Sequence, residues 1–221
     1  MTAVTTRRRR PSREEDREKL LDAAEALFAE RGYHGVSVRE IAELAGTRLA
    51  EINDSFGGKE ALFCEVVRRR ADAINLDREA LLAALPAEGM VSSRISALVE
   101  AFAKPLLLRA EQSRGWQNYL RLVAQLNVVR YPELILVIDQ FNPIALRFVS
   151  ALKAIYPHAS ERQLTNAYQF LVSCSLTVFS NNLRMDSLTG GHVTSSDFAN
   201  NYQDSLAFLA AGMEGLLGKS Q

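Results

Sequence analysis

The stretch SVREIAELAGTRLAEINDSFGGKEALF, Ser37 to Phe63, decides how the rest of the chain is read. Ser37 and Glu40 stand three apart, the spacing of a capping box in which hydroxyl and carboxylate satisfy orphan amide donors at a helix start. Val38, Ile41, Ala42 and Ala45 then share one face of a short helix, and Gly46 closes it. Leu49, Ile52 and Phe56 give the apolar side of a second, equally short helix that ends at Gly57 and Gly58. A long helix follows from Lys59 or Glu60 to about Leu85, stopped by Pro86. The order is helix, turn, helix, then a long connecting helix.

Outward from this stretch toward the start, Leu20, Ala24, Leu27, Phe28 and Arg31 form one face of a helix from about Glu14 to Arg31, broken at Gly32. Ahead of it lies a basic arm: residues 1–13 hold Arg7, Arg8, Arg9, Arg10 and Arg13 and no acid. Residues 14–72 reverse the balance with nine basic and 14 acidic side chains. The whole chain of 221 residues carries 26 of each sign, so its net charge announces neither a nucleic-acid nor a membrane partner.

Toward the C-terminus the helical period continues from about Val91, with breaks expected at Ser113 to Gly115, near Tyr131 and Pro132, and at Tyr156 to Ser160. Pro105 and Pro143 fall inside helical patterns and are expected to kink or divide them. Two strong helices are expected over Arg162 to Leu183 and Asp197 to Leu217, separated by the polar stretch RMDSLTGGHVTSSD, read as a mobile loop. No period-2 run bounded by hairpin turns is present, so the fold class is all-α.

Several classes of function are disfavoured. Cys64 and Cys174 have neither CxxC nor Cys/His spacing, which argues against a disulfide framework or a zinc site. His34, His158 and His192 form no ligand pair at helical spacing, and no GxSxG, HExxH, GxxxxGK or GxGxxG motif occurs. No catalytic residue, metal site or cofactor is therefore expected. No apolar run approaches the roughly 18 residues of a membrane span, and the arginine-rich start lacks a signal peptide's apolar segment. The expected location is the cytoplasm, with no membrane partner.

The segment LLDAAEALFAERGYHGVSVREIAELAG followed by INDSFGGKEALF resembles the N-terminal domain of TetR-family transcriptional regulators. The elements arrive in order: AA..LF...G on the first helix, IA..AG in the helix-turn-helix, then F..KE.L. This resemblance implies an all-helical homodimer, with an N-terminal three-helix domain that reads a double-stranded operator and a C-terminal helical bundle that holds a small effector. Its expected divisions are a basic flexible arm over 1–13, the helix-turn-helix domain over 14–58, the connecting helix over 59–86, and an effector-binding and dimerisation bundle over 87–221. The implied function is repression of a palindromic operator, relieved by a small apolar or amphipathic molecule.

Departures from the family pattern cluster on the second short helix. Thr47 and Arg48 replace the usual valine and serine or threonine, Ala50 the glycine, Asn53 the tyrosine and Ser55 the histidine. With Leu49, Ile52 and Phe56 inward, the outward face is expected to carry Thr47, Arg48, Glu51, Asp54 and Ser55, with Asn53 at its margin. Thr47 is read as a helix cap, Arg48 as a guanine reader and Glu51 as an acceptor from cytosine. Lys59, Arg39 and Ser37 complete the expected DNA contacts, with Arg7 to Arg10 either entering the minor groove or remaining a solvated tail. Acidic Glu51 and Asp54 keep a second reading open: a ligand-binding or protein-interaction module whose DNA-binding domain no longer functions.

In the bundle, Trp116, Tyr119, Phe141 and Phe170, with polar Asn142, Ser173 and Thr177 on the same apolar helices, are the expected effector-site residues.

Overall fold

A computed structural model describes residues 13–128 and 133–218. It is helical throughout, with no strand among the described residues. Helix α1, Arg13–Arg31, opens with Glu14, Glu15 and Asp16 against its positive N-terminal end and buries Leu20, Leu21, Ala24 and Phe28. Helix α2, Val38–Ala45, starts on the expected capping box of Ser37 and Glu40 and ends at Gly46, whose φ of 65° is left-handed. Helix α3, Ala50–Phe56, and the long α4, Lys59–Ala83, complete the N-terminal unit. Phe28 of α1 meets Phe63 of α4 edge to face at 5.2 Å between centroids, and Tyr33 closes the same aromatic cluster at 4.9 Å from Phe63.

The bundle consists of α5, Val91–Gln112; α6, Arg114–Leu126; α7, Glu133–Val137; α8, Asn142–Ile155; α9, Glu161–Phe179; α10, Arg184–Thr189; and α11, Phe198–Leu217. Helices α5, α9 and α11 pack on one another, and α6 lies between α9 and α1, so it belongs to the bundle and to the N-terminal unit at once. Helix α5 continues unbroken through Pro105, which is buried. Pro143 instead sits in the first turn of α8, where a missing N–H costs no helical bond. The expected break at Tyr131 and Pro132 lies outside the described residues.

The polar stretch after α9 is not a loop throughout. Its first six residues form α10, and the Asp186 carboxylate accepts from the Ser195 amide at 2.8 Å, which folds the following turn back on the helix. That bond holds the Asp186 carboxyl below its ordinary pKa. Helix α9 ends at Phe179, four residues before the expected Leu183.

Candidate DNA-reading face and effector cavity

Helix α3 is turned differently from the expectation. Ile52 and Glu51 are buried, Phe56 and Ser55 are half-buried, and Arg48, Leu49, Ala50, Asn53 and Asp54 face solvent. Leu49, expected inward, is 50% exposed, whereas Glu51, expected to reach a base, is 8% exposed. The Glu51 carboxylate accepts from Arg48 Nη2 at 3.1 Å and from Ser55 Oγ at 2.9 Å. Its charge is matched within the domain. Asp54 keeps its side chain in solvent, but its backbone carbonyl accepts from Arg13 Nη2 at 2.8 Å. A basic group from α1 thus lies against the end of α3.

Thr47 does not cap α3. Its amide donates back to Ala42 at 3.0 Å as part of the α2 terminus, and its hydroxyl is buried without a hydrogen-bond partner among the described residues. Leu49 occupies the cap position with no side-chain bond, and the backbone bonds from Glu51 to Arg48 and from Ile52 to Leu49 close the first turn.

The remaining expected contacts fall around this face. Ser37 caps α2, and Glu40, drawing hydrogen bonds from Arg31 and then Ser37, is held at a pKa of about 2. Arg39 is exposed and paired with Glu43 at 3.0 Å, a solvent-screened i,i+4 contact. Lys59 stands in the first turn of α4 with its ammonium 4.2 Å from the Tyr33 ring centroid, and partial burial lowers its pKa. Arg7, Arg8, Arg9 and Arg10 lie outside the described residues.

Between α4, α5, α6, α8 and α9 lies a partly open cavity of about 230 Å³. Tyr119, Phe141 and Asn142 line it as expected. Trp116, Phe170, Ser173 and Thr177 do not. Trp116 is buried beside the cavity, edge-on to Tyr119 at 6.0 Å and between the guanidinium groups of Arg70 and Arg109 at 4.5 and 4.9 Å. Phe170 is 56% exposed on the far side of α9, where it borders an apolar groove shared with Phe208 and Met213 of α11. Ser173 accepts from Asn127 and Gln169, and Thr177 bonds back to the Ser173 carbonyl of its own helix. Alternation of polar and apolar residues along α9 placed these groups on the helix without fixing which side faces the cavity.

Two family models match this chain. One, described as "Bacterial regulatory proteins, tetR family", covers residues 20–66, and the other, "Tetracyclin repressor-like, C-terminal domain", covers 100–212, more than half the chain. The chain belongs to the TetR family. Members are transcription regulators and not enzymes. Among relatives of this TetR-family regulator, the repressor KstR2 of Rhodococcus jostii is 38% identical over 79 residues, covering 31% of this chain and 39% of the relative. The activator FasR of Mycolicibacterium smegmatis is 35% identical over 91 residues, covering 41% and 40%. Each match spans about two fifths of the relative's length. In structure, KstR2 of Mycobacterium tuberculosis superposes with a TM-score of 0.59 at 21% identity, over 92% of this chain and 96% of that one. FadR from Bacillus subtilis, solved with stearoyl-CoA, gives 0.56 at 16%, over 88% and 98%. At these identities the structural likeness speaks for the fold alone.

The regulator's two halves meet at a buried carboxylate that sequence reading did not single out. Glu25 of α1 is 1% exposed and accepts from Arg69 Nη2 at 3.1 Å and from Arg70 Nε and Nη2 at 2.9 and 3.1 Å. Gly115, in the first turn of α6, leaves room for this cluster: a Cβ there would stand 2.8 Å from Arg70 Nη2. At the other end of α6, Gln125 Nε2 donates to the Ala29 carbonyl of α1 at 2.7 Å. Helix α6, which supplies Tyr119, Leu120, Val123 and Leu126 to the cavity, is thereby bonded to α1 at its C-terminal end, while its N-terminal end packs on the α1–α4 cluster through Gly115 and Trp116. Sequence reading also missed Arg78, whose side chain borders the cavity. Its only available signal was position: Ile74, one turn earlier, lies on the same buried side of α4.

Proposed function

We propose that this TetR-family regulator is a homodimeric repressor that binds a palindromic operator and is released when a small apolar or amphipathic molecule fills the cavity. The observation that carries the reading is the double membership of α6, which both walls the cavity and packs on α1, bonded to it through Gln125 and seated beside the Glu25 cluster. A ligand wedged against Tyr119, Leu120 and Val123 shifts α6, and α1 carries the helix-turn-helix with it. In a twofold dimer that movement changes the separation of the two α3 helices, and binding to both half-sites at once is lost.

Within this reading, residues 1–13 act as the basic arm, 14–58 as the DNA-reading domain, 59–86 as the connecting helix and 87–221 as the sensing and dimer-forming bundle. The exposed apolar strip formed by Phe170 on α9 and Phe208 on α11 favours a four-helix contact with a second copy. Base reading falls to Arg48 and Asn53, with Leu49 and Ala50 placed for apolar contact with thymine methyl groups; Lys59, Arg39, Ser37 and the arm serve phosphate or minor groove. Glu51 orients Arg48 rather than meeting a base. The cavity supports an effector role in line with FadR, which was solved with an acyl-CoA, and the repressor KstR2 supports the direction of control.

Selection of bound sites from random DNA by the full chain tests the proposal, alongside light scattering. Expected are an enriched inverted repeat and one species at twice the 24.5 kDa chain mass. A monomer at micromolar concentration, or salt-driven binding with no enriched repeat, would overturn it and leave the DNA-binding domain without function.

A further inference from the structure

The cavity's chemistry narrows the ligand, on the reading that this cavity is the effector site. Arg78 is 6% exposed and lines the cavity. Its Nε donates to the Phe102 carbonyl at 3.1 Å, and its guanidinium lies 3.7 Å from the Phe102 ring centroid. No carboxylate among the described residues pairs with it. The acids flanking it in sequence are engaged elsewhere, Asp77 with Arg109 and Glu79 with Arg147. Burial pushes the Arg78 pKa down to about 10, so the side chain remains a cation at neutral pH.

The groups around Arg78 repeat the same one-sided pattern. Tyr119 and Tyr168 line the cavity near enough for the Arg78 charge to act on them, and burial raises both phenol pKa values, so both keep their protons. Neither hydroxyl has a hydrogen-bond partner among the described residues. A guanidinium and two phenols therefore offer donors to one space, with no anionic acceptor in the wall. The rest of the wall mixes apolar side chains, among them Leu106, Leu120, Val123 and Val172, with the neutral amides of Asn75, Asn127, Asn142 and Gln169.

We propose that the effector is a small monocarboxylic acid with an apolar body, its carboxylate held by Arg78, Tyr119 and Tyr168 and its body packed along α6 and α9. A carboxylate is acceptor-only and matches the fork of a guanidinium, and charge-assisted bonds of this kind are the strong ones. A buried cation without an acid is costly, and a bound anion relieves that cost, which couples binding to the burial of Arg78. The volume of about 230 Å³ lies below the roughly 300 to 1,000 Å³ of ordinary ligand pockets. It favours a medium-chain fatty acid or an aryl-alkanoic acid over a steroid or a coenzyme A thioester.

Calorimetry on the full chain separates the ligand class from the site. The probes are octanoate, decanoate and phenylbutyrate, each with its methyl ester, and decanoyl-CoA. At least one acid is expected to bind roughly 10- to 100-fold tighter than its ester, the worth of a charge-assisted contact. Arg78→Met is expected to abolish that gap while keeping the wild-type circular dichroism. Should Arg78→Met fail to fold, Tyr168→Phe carries the test, and a gap it does not narrow overturns the proposal. Equal binding of acids and esters by the wild type, or binding of decanoyl-CoA alone, overturns the carboxylate and leaves the cavity as the effector site. Binding of none of these compounds removes both.

Discussion

Glu25 and Arg78 are both buried, and they are buried in opposite ways. Glu25, at the junction of α1, α4 and α6, is surrounded by two arginines that donate three hydrogen bonds to it. Arg78, less than three helical turns farther along α4, has one bond to a carbonyl, one aromatic face and no acid among the described residues. A buried ion matched on all sides holds elements together. One without an acid beside a cavity keeps its donors for the carboxylate proposed above. Helix α4 carries both kinds, with Arg69 and Arg70 facing the DNA-reading unit and Arg78 facing the cavity.

The largest expected effect sharpens the first half of that contrast. Glu25→Ala leaves Arg69 and Arg70 clustered without their shared acid and is expected to cost about 3 to 5 kcal/mol, the range for breaking a buried pair from one side. A urea midpoint within error of wild type would show that the cluster does not hold the halves together. Gly115→Ala presses a methyl group on the same cluster. Since the nearest atom is the terminal nitrogen of Arg70, which shifts more readily than backbone, the expected loss is about 1 kcal/mol, at the low end for overpacking. Weaker DNA binding with near-normal stability is the outcome that ties α6 to α1.

An effect of similar size lies far from Glu25 and Arg78. Ser37→Ala removes the α2 cap and is expected to cost about 1 kcal/mol. The same box gives an acid signature. The Glu40 carboxyl is lowered from 4.5 to about 2 in the fold, so its contribution is complete above pH 4.5 and is lost as pH falls toward 2. Thermal melts should show both proteins losing stability across that window, because the contacts of Glu40 with Arg31 and with the Ser37 backbone are common to both. The gap between them should narrow as the Ser37 hydroxyl loses its carboxylate partner; a constant difference would place the hydroxyl's contribution elsewhere.

Much of the fold was legible because its punctuation is local. Ser37 with Glu40, Gly46 in its left-handed turn and the i,i+4 spacing of Leu20, Ala24 and Phe28 act within one or two turns of helix. The candidate site was less legible, for a physical reason that differs by residue. Helix α3 has seven residues, and Leu49, Ile52 and Phe56 fit its apolar phase equally well. Only contacts with Arg48 and Ser55 reveal that Glu51 turns inward. Arg78 sits in LDREALL, which reads as a solvated charged turn until α5, α6 and α9 close over it. Trp116 was expected in the cavity among aromatic and polar residues of the apolar helices, and it instead packs against the guanidinium groups of Arg70 from α4 and Arg109 from α5.

The most direct test of the unmatched charge is urea denaturation of wild type and Arg78→Met, each with and without decanoate. Without ligand, Arg78→Met is expected to be as stable as wild type or more so, because the cost of an unpaired buried cation is removed. With decanoate at about 100 times its dissociation constant, the wild type is expected to gain about 2.7 kcal/mol and the variant to show no shift. A loss in Arg78→Met as large as that expected of Glu25→Ala, together with a wild-type midpoint that decanoate leaves unmoved, would make Arg78 a structural ion like Glu25 and contradict its role as a ligand anchor.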